Sequence, residues 1–186
     1  MVIKPLLKIL NEDAYRYTGK NKTILHCYRY FPGYKYSFWL RCTQYFSRNK
    51  RSIGFIFSRI LLSRYKYKFA IDIPYTTQIG SGLYIGHFSG IFISSDAVIG
   101  KNFNISQCVT IGSASRGEKN GTPVIGDSVY IAPGAKVFGA IVIESNVAIG
   151  ANAVVSSDVS QNSVVVGIPA STISNNGSRG YCVNEV

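Results

Sequence analysis

The chain has 186 residues, 46% of them hydrophobic, and a formal net charge of +11, enough for one good core or a small domain beside a larger one. Fifteen Lys and Arg face only Glu12 and Asp13 in residues 1–71, whereas residues 72–186 carry five cations against seven acids; the second part is therefore no polyanion-binding surface. Cys27, Cys42, Cys108 and Cys182 form no CxxC pair and only His26 and His87 are present to help them, so no metal site is expected.

Taken in order, residues 1–20 read as a short helix and loop, with Leu6, Leu7 and Leu10 on one face and Gly19 ending the run. No secretory signal or bilayer-spanning segment is expected, because Met1–Leu10 carries Lys4, Pro5 and Lys8 and lacks a long apolar run. A cytoplasmic protein with reduced thiols follows. From Ile24 to Phe46 aromatics and basics interleave around Pro32-Gly33, a predicted turn, and a helix is expected over Tyr36–Phe46. Ile53–Tyr67 reads as another helix, since Ile53, Ile56, Phe57, Ile60, Leu61 and Arg64 fall at helical spacing. Sixteen of the 24 aromatic residues precede residue 71. Such a segment suits an anionic membrane surface or an acidic glycan, or else a helical domain with an aromatic core and solvated cations; with no RNA-recognition or zinc-finger pattern, nucleic acid is not expected.

From Ile73 to Ser160 an aliphatic residue returns every six positions: Ile73, Ile79, Ile85 and Ile91; Ile93, Ile99, Ile105 and Ile111; Ile125, Ile131, Val137, Ile143, Ile149 and Val155. A period of six fits neither a helix nor a lone strand, so each unit is one face of a coil that buries its aliphatic residue against its neighbours. The period slips by two between Ile91 and Ile93, and Ile111 to Ile125 spans fourteen residues instead of twelve. A perfect solenoid offers no pocket, so the site is expected between these irregularities. His87 stands just before the first slip, fifteen residues after Asp72, a distance close to one coil that predicts Asp72 in the layer below its ring.

The stretches Ile71-Asp72-Ile73-Pro74, Ile79-Gly80-Ser81-Gly82, Gly86-His87-Phe88-Ser89-Gly90, Val109-Thr110-Ile111-Gly112, Ile131-Ala132-Pro133-Gly134-Ala135-Lys136 and Gly167-Ile168-Pro169-Ala170 resemble the catalytic domain of the serine acetyltransferase family, within the left-handed β-helix hexapeptide acyltransferases. The resemblance covers residues 71–173. It implies a mainly β fold, a left-handed parallel β-helix behind a small α-helical N-terminal region (1–70), with an extended loop at 112–123 and a tail at 174–186. It also implies a homotrimer, or a dimer of trimers, with acetyl-CoA as cosubstrate.

In that family the histidine matching His87 takes the acceptor's proton, the aspartate matching Asp72 supports the imidazolium, and a backbone N–H near the extended loop meets the thioester oxygen. The resemblance sets Gly112 near the thioester and Ala132, Gly134, Gly150 and Ala151 along the cofactor arm, with Lys136 toward a phosphate. Serine recognition in the family uses an aspartate before the histidine and an Arg-His pair before a proline; here stand Gly86, and Gly121 and Thr122 before Pro123. Losing those charge-assisted contacts, roughly 1.5–3 kcal/mol each, predicts a neutral acceptor. The expectation is an O-acetyltransferase acting on a sugar hydroxyl of a surface polysaccharide or its precursor, with Gly86, Arg116 and Thr122 at the acceptor and a peripheral contact with the inner membrane face. Serine O-acetylation, amino-sugar N-acetylation and a non-catalytic β-helix are the alternatives.

Overall fold

In the computed structural model the described residues are 3–21, 23–48 and 52–186. Met1 and Val2 of the predicted first helix lie outside them. Four α-helices come first: α1 (Lys4–Thr18), α2 (Ile24–Tyr30), α3 (Pro32–Phe46) and α4 (Ile53–Phe69). Gly19 closes α1, as expected, with its N–H on the Tyr15 carbonyl. Pro32-Gly33 is not the predicted turn. Pro32 opens α3 instead, because a first-turn position has no use for the missing N–H and favours its fixed φ. Gly33 is there for contact: a Cβ at that position would lie 2.2 Å from the Ile85 carbonyl oxygen, so only glycine lets α3 press onto the coil behind it.

The helix expected over Ile53–Tyr67 forms, but the apolar stripe that defined it faces outward. Ile53, Ile56, Phe57 and Ile60 are exposed, and Phe55, Ser58, Leu62 and Phe69 point inward. Both faces of α4 are apolar, so spacing alone picked the wrong one. Among the described residues, no helix is long and apolar enough to cross a membrane.

Fifteen short strands follow and build three sheets, and up to the last coil each sheet takes every third strand. The first stacks β1 (Ile71–Asp72), β4 (Ile91–Ile93), β7 (Thr110–Gly112), β10 (Lys136–Phe138) and β13 (Val154–Val155). The second stacks β2 (Gln78–Ile79), β5 (Val98–Ile99), β8 (Val124–Ile125) and β11 (Val142–Ile143). The third stacks β3 (Tyr84–Ile85), β6 (Asn104–Ile105), β9 (Tyr130–Ile131), β12 (Ala148–Ile149) and β14 (Val164–Gly167), closed by antiparallel β15 (Ala170–Ser174). All other pairings between strands are parallel and in register, with Ile99 on Ile125 and Ile105 on Ile131. The chain is thus a three-sided solenoid, mainly β, behind a helical N-terminal region. The repeat's aliphatics are its core, from Ile73 to Val155 at 8% exposure or less, and no single coil buries them without its neighbours.

Register also relocates both slips. Ile71 pairs with Ile91 and Asp72 with Phe92, so the two surplus residues fall at the corner between β3 and β4, where His87 and Phe88 sit. Asp72 opens the first coil and His87 closes it; the two do not lie in successive layers. Ile111 stands over Ile93 and Ile125 over Ile99. The step of fourteen therefore replaces a step of six, and the loop is longer than the count of twelve implied.

The lower edge of the solenoid would expose unpaired backbone groups, and the helices cover it. Buried Asp13 accepts from Gly82 N and Leu83 N, both at 2.9 Å, and from Arg41 Nε at 2.9 Å. Arg41 donates onward to the carbonyls of Ile79 and Gly80 at 2.7 and 2.6 Å. The Tyr36 hydroxyl accepts from Ile73 N and donates to its carbonyl, and the Tyr17 hydroxyl does the same at Ile85. Removing one member of such a pair leaves the other charge buried and alone. Asp13→Ala is expected to cost about 3–5 kcal/mol in denaturant unfolding; a loss below about 1 kcal/mol would mean that the edge is not held this way.

Burial pushes the Tyr17, Tyr34 and Tyr36 hydroxyls above their ordinary pKa near 10. Above that value the unfolded chain releases protons that the folded chain retains, so their contribution to stability is complete below pH 10 and falls as pH rises past it. The midpoint of urea unfolding should drop steadily above pH 10, and a flat midpoint up to pH 11 would contradict this burial.

Candidate functional site

The corner between the third and first sheets repeats in each coil, and its column holds most of the candidate residues. Cys108 N bonds to Ser89 O, Gly134 N to Gln107 O and Asn152 N to Pro133 O, so the segments 86–90, 106–108, 132–134 and 150–152 stack one above another. His87 and Phe88 are the surplus pair in the lowest of these corners. A coil has no inward place for two extra residues, so they bulge outward, and His87 is exposed. Ala132, Gly134, Gly150 and Ala151 lie in the same column above it.

What fixes the bulge is an aromatic run from the helices. Phe88 packs on Phe69 with ring centroids 5.3 Å apart, Phe69 stacks on Tyr65, and the Tyr65 and Tyr28 hydroxyls meet at 3.4 Å. Among the described residues His87 itself has no hydrogen bond or ion pair to hold its ring. Asp72 is half-buried on β1 and is not bonded to His87; its Oδ2 lies 2.8 Å from Lys66 Nζ on α4. Sequence reasoning missed Lys66, whose signal was only one cation among fifteen.

Across the first sheet, at its far edge, stand Gly112 and the extended loop. The loop folds as a small hairpin in which Ala114 and Gly121 exchange both backbone hydrogen bonds, at 2.9 and 3.0 Å. It leans on the coil above through Ala140 N to Lys119 O at 2.9 Å. Arg116 at its tip is exposed. Thr122 donates its hydroxyl to the Asp96 carbonyl at 3.0 Å. The candidate residues thus flank the outer face of the first sheet on both sides.

The glycines and the lysine differ in what the fold itself asks of them. Gly134 has φ +78 and a Cβ there would meet Asn152 Oδ1 at 1.9 Å; a Cβ at Gly150 would meet Val166 Cγ1 at 2.6 Å. Packing and backbone explain both. At Gly112 a Cβ would touch only the Thr110 methyl, at 3.9 Å, so nothing in the fold requires glycine and its bare backbone stays open to a ligand. Lys136 bonds to the Cys108 carbonyl at 2.6 Å and the Thr110 hydroxyl at 3.2 Å, which ties down the group expected to meet a phosphate. Gly134→Ala should therefore lower stability by at least about 1 kcal/mol, while Gly112→Ala leaves the melting temperature unchanged; equal effects in a thermal scan would contradict this division.

Three parallel sheets on a six-residue repeat, with one loop thrown out and a histidine on a bulged corner, define a hexapeptide-repeat acyltransferase fold. No protein-family model matches the sequence. A serine acetyltransferase of Staphylococcus xylosus is 40% identical over 125 residues, covering 67% of this chain and 58% of that protein. A Neisseria gonorrhoeae serine acetyltransferase solved in complex with serine is 30% identical, with TM-score 0.75 over 92% of this chain and 70% of that one. A serine acetyltransferase in complex with CoA gives TM-score 0.76 at 25% identity, over 91% and 70%. The chain belongs to the serine acetyltransferase family; it spans little more than half the length of the curated relatives it matches.

These findings overturn the expected sugar hydroxyl and glycan partner, since relatives at 38–45% identity carry the name serine acetyltransferase. They also give no support to the expected contact with a membrane surface. The physical flaw lay in reading Gly86 and Thr122 as the loss of charge recognition altogether. Charges missing at two positions say nothing of charges elsewhere; Lys66 on α4 and Asp72 on β1, for instance, pair at 2.8 Å.

Proposed function

We propose that the chain is an acetyl-CoA-dependent serine O-acetyltransferase, with residues 71–173 as its catalytic unit, wound left-handed, and residues 1–70 as its cap. The observation that carries this reading is the placement of His87 on the bulged corner, in one column with Ala132, Gly134, Gly150 and Ala151 and across the first sheet from Gly112. The names and complexes of the relatives support serine and acetyl-CoA as the two substrates. The protein works in the cytoplasm on this reading, with free thiols that stay reduced.

A serine hydroxyl is a weak nucleophile toward a thioester unless a base removes its proton as the new bond forms. Imidazoles titrate near neutrality and suit that role. His87 accepts the hydroxyl proton while the oxygen attacks the acetyl carbonyl; the tetrahedral intermediate collapses, the C–S bond breaks, and the imidazolium returns the proton to the CoA sulfur. Asp72 supports the positive imidazolium, and a backbone N–H at the root of the extended loop meets the negative oxygen. No acyl-enzyme forms, so buried Cys42, whose thiol burial pushes up to about 12, has no part.

CoA release from acetyl-CoA and L-serine tests this directly. Turnover by the native protein should fall roughly 10²–10⁴-fold in His87→Ala, and Gly112→Ala should lower kcat/KM for acetyl-CoA at unchanged stability. A native protein that binds acetyl-CoA yet leaves serine untouched would remove the acceptor assignment; unchanged turnover in His87→Ala would remove the base.

A further inference from the structure

The catalytic scheme leaves unused a cavity of about 350 Å³ between α4 and β1, bordered by Arg59, Ser63, Lys66, Asp72 and Tyr75. Two cations and one carboxylate give it a net positive charge. Lys66 lies 2.8 Å from Asp72 Oδ2, with the two side chains still 40% and 36% exposed. An ammonium has three donors, so the bond to Asp72 leaves two for a ligand. Arg59 lies over the Tyr75 ring, 5.0 Å from its centroid; a guanidinium held at a ring by cation–π attraction does not use its N–H donors in that contact. Those donors form the fork that binds a carboxylate. The cavity touches Asp72, and Lys66 is one helical turn from Phe69, on which Phe88 of the histidine bulge packs.

We propose that Lys66 and Arg59 form the subsite for the acceptor's carboxylate, with Lys66 bridging that carboxylate to Asp72. This rests on the serine reading above. It supplies a charge partner that Gly86 and Thr122 do not, from a helix instead of the loop. It also makes Lys66 a specificity residue, holding the acceptor at a set distance from the carboxylate that supports His87.

The test compares L-serine with L-serinamide, which keeps the hydroxyl and the amine and replaces the carboxylate by a neutral amide. Steady-state kinetics would be measured on the native protein, Lys66→Met, Lys66→Arg and Arg59→Met, with melting temperatures as a check on folding. The native protein should prefer serine. Lys66→Met should lower the preference for serine over serinamide, as the ratio of their kcat/KM values, tenfold or more, chiefly through KM for serine, and be largely rescued in Lys66→Arg; Arg59→Met should lower the same ratio. Should Lys66→Met not fold, Arg59→Met decides by the same comparison. If Lys66→Met leaves serine kinetics unchanged, or weakens serine and serinamide equally, the subsite is wrong and the serine reading stands. If the native protein turns over neither compound, the serine reading falls and takes the subsite with it.

Discussion

The first coil of a β-solenoid has no coil beneath it, and its lower edge consists of backbone donors and acceptors that must find partners or water. Here that edge is met by side chains from α1 and α3. Asp13 takes two N–H groups, Arg41 gives to two carbonyls, and the Tyr17 and Tyr36 hydroxyls each serve one residue as donor and acceptor at once. An apolar cap would bury the same edge and leave those groups unsatisfied. Both charges are needed because the edge presents both signs, and each charge, once inside, requires the other.

The site depends on that cap. Tyr36 fixes the residue next to Asp72, and Tyr17 fixes Ile85, two residues before His87. The helices therefore set both ends of the first coil, and the aromatic run through Tyr65 and Phe69 to Phe88 steadies the bulge between them. The upper coils are held from another side. The tail packs back down the solenoid through Ser178 on Ser128, Tyr181 stacked on Tyr130 at 4.3 Å, and Val186 on Asn102, and Arg16 of α1 bonds to it at Val183. Helices, coils and tail thus share one network of hydrogen bonds.

The repeat was legible because one buried aliphatic residue per face is a local, periodic signal, and that signal named the core from Ile73 to Val155. The four helices were legible in part. The inward side of α4 was not, since apolar residues line both sides and only tertiary contact chooses between them. Nor was the cap: Asp13 meets Gly82 and Tyr17 meets Ile85 across almost seventy residues, and no pattern in sequence marks such a pair. The slip in the repeat and their spacing singled out His87 and Asp72 and the resemblance suggested their roles, but their relation in one coil came only from strand register. The acceptor was misread because an argument from absent charges at Gly86 and Thr122 counts only those two positions and is blind to charges elsewhere in the fold.

Amide hydrogen exchange on the intact protein tests the edge-capping account most directly. The N–H groups of Ile73, Gly82, Leu83 and Ile85 bond to side chains of the helical cap, whereas those of Gly100 and Gly126 bond to the next coil. If the helices complete the solenoid, the two sets exchange with protection of the same order. If the edge amides exchange orders of magnitude faster than the interior ones, the cap does not hold the first coil, and the placement of Asp72 and His87 loses its physical basis.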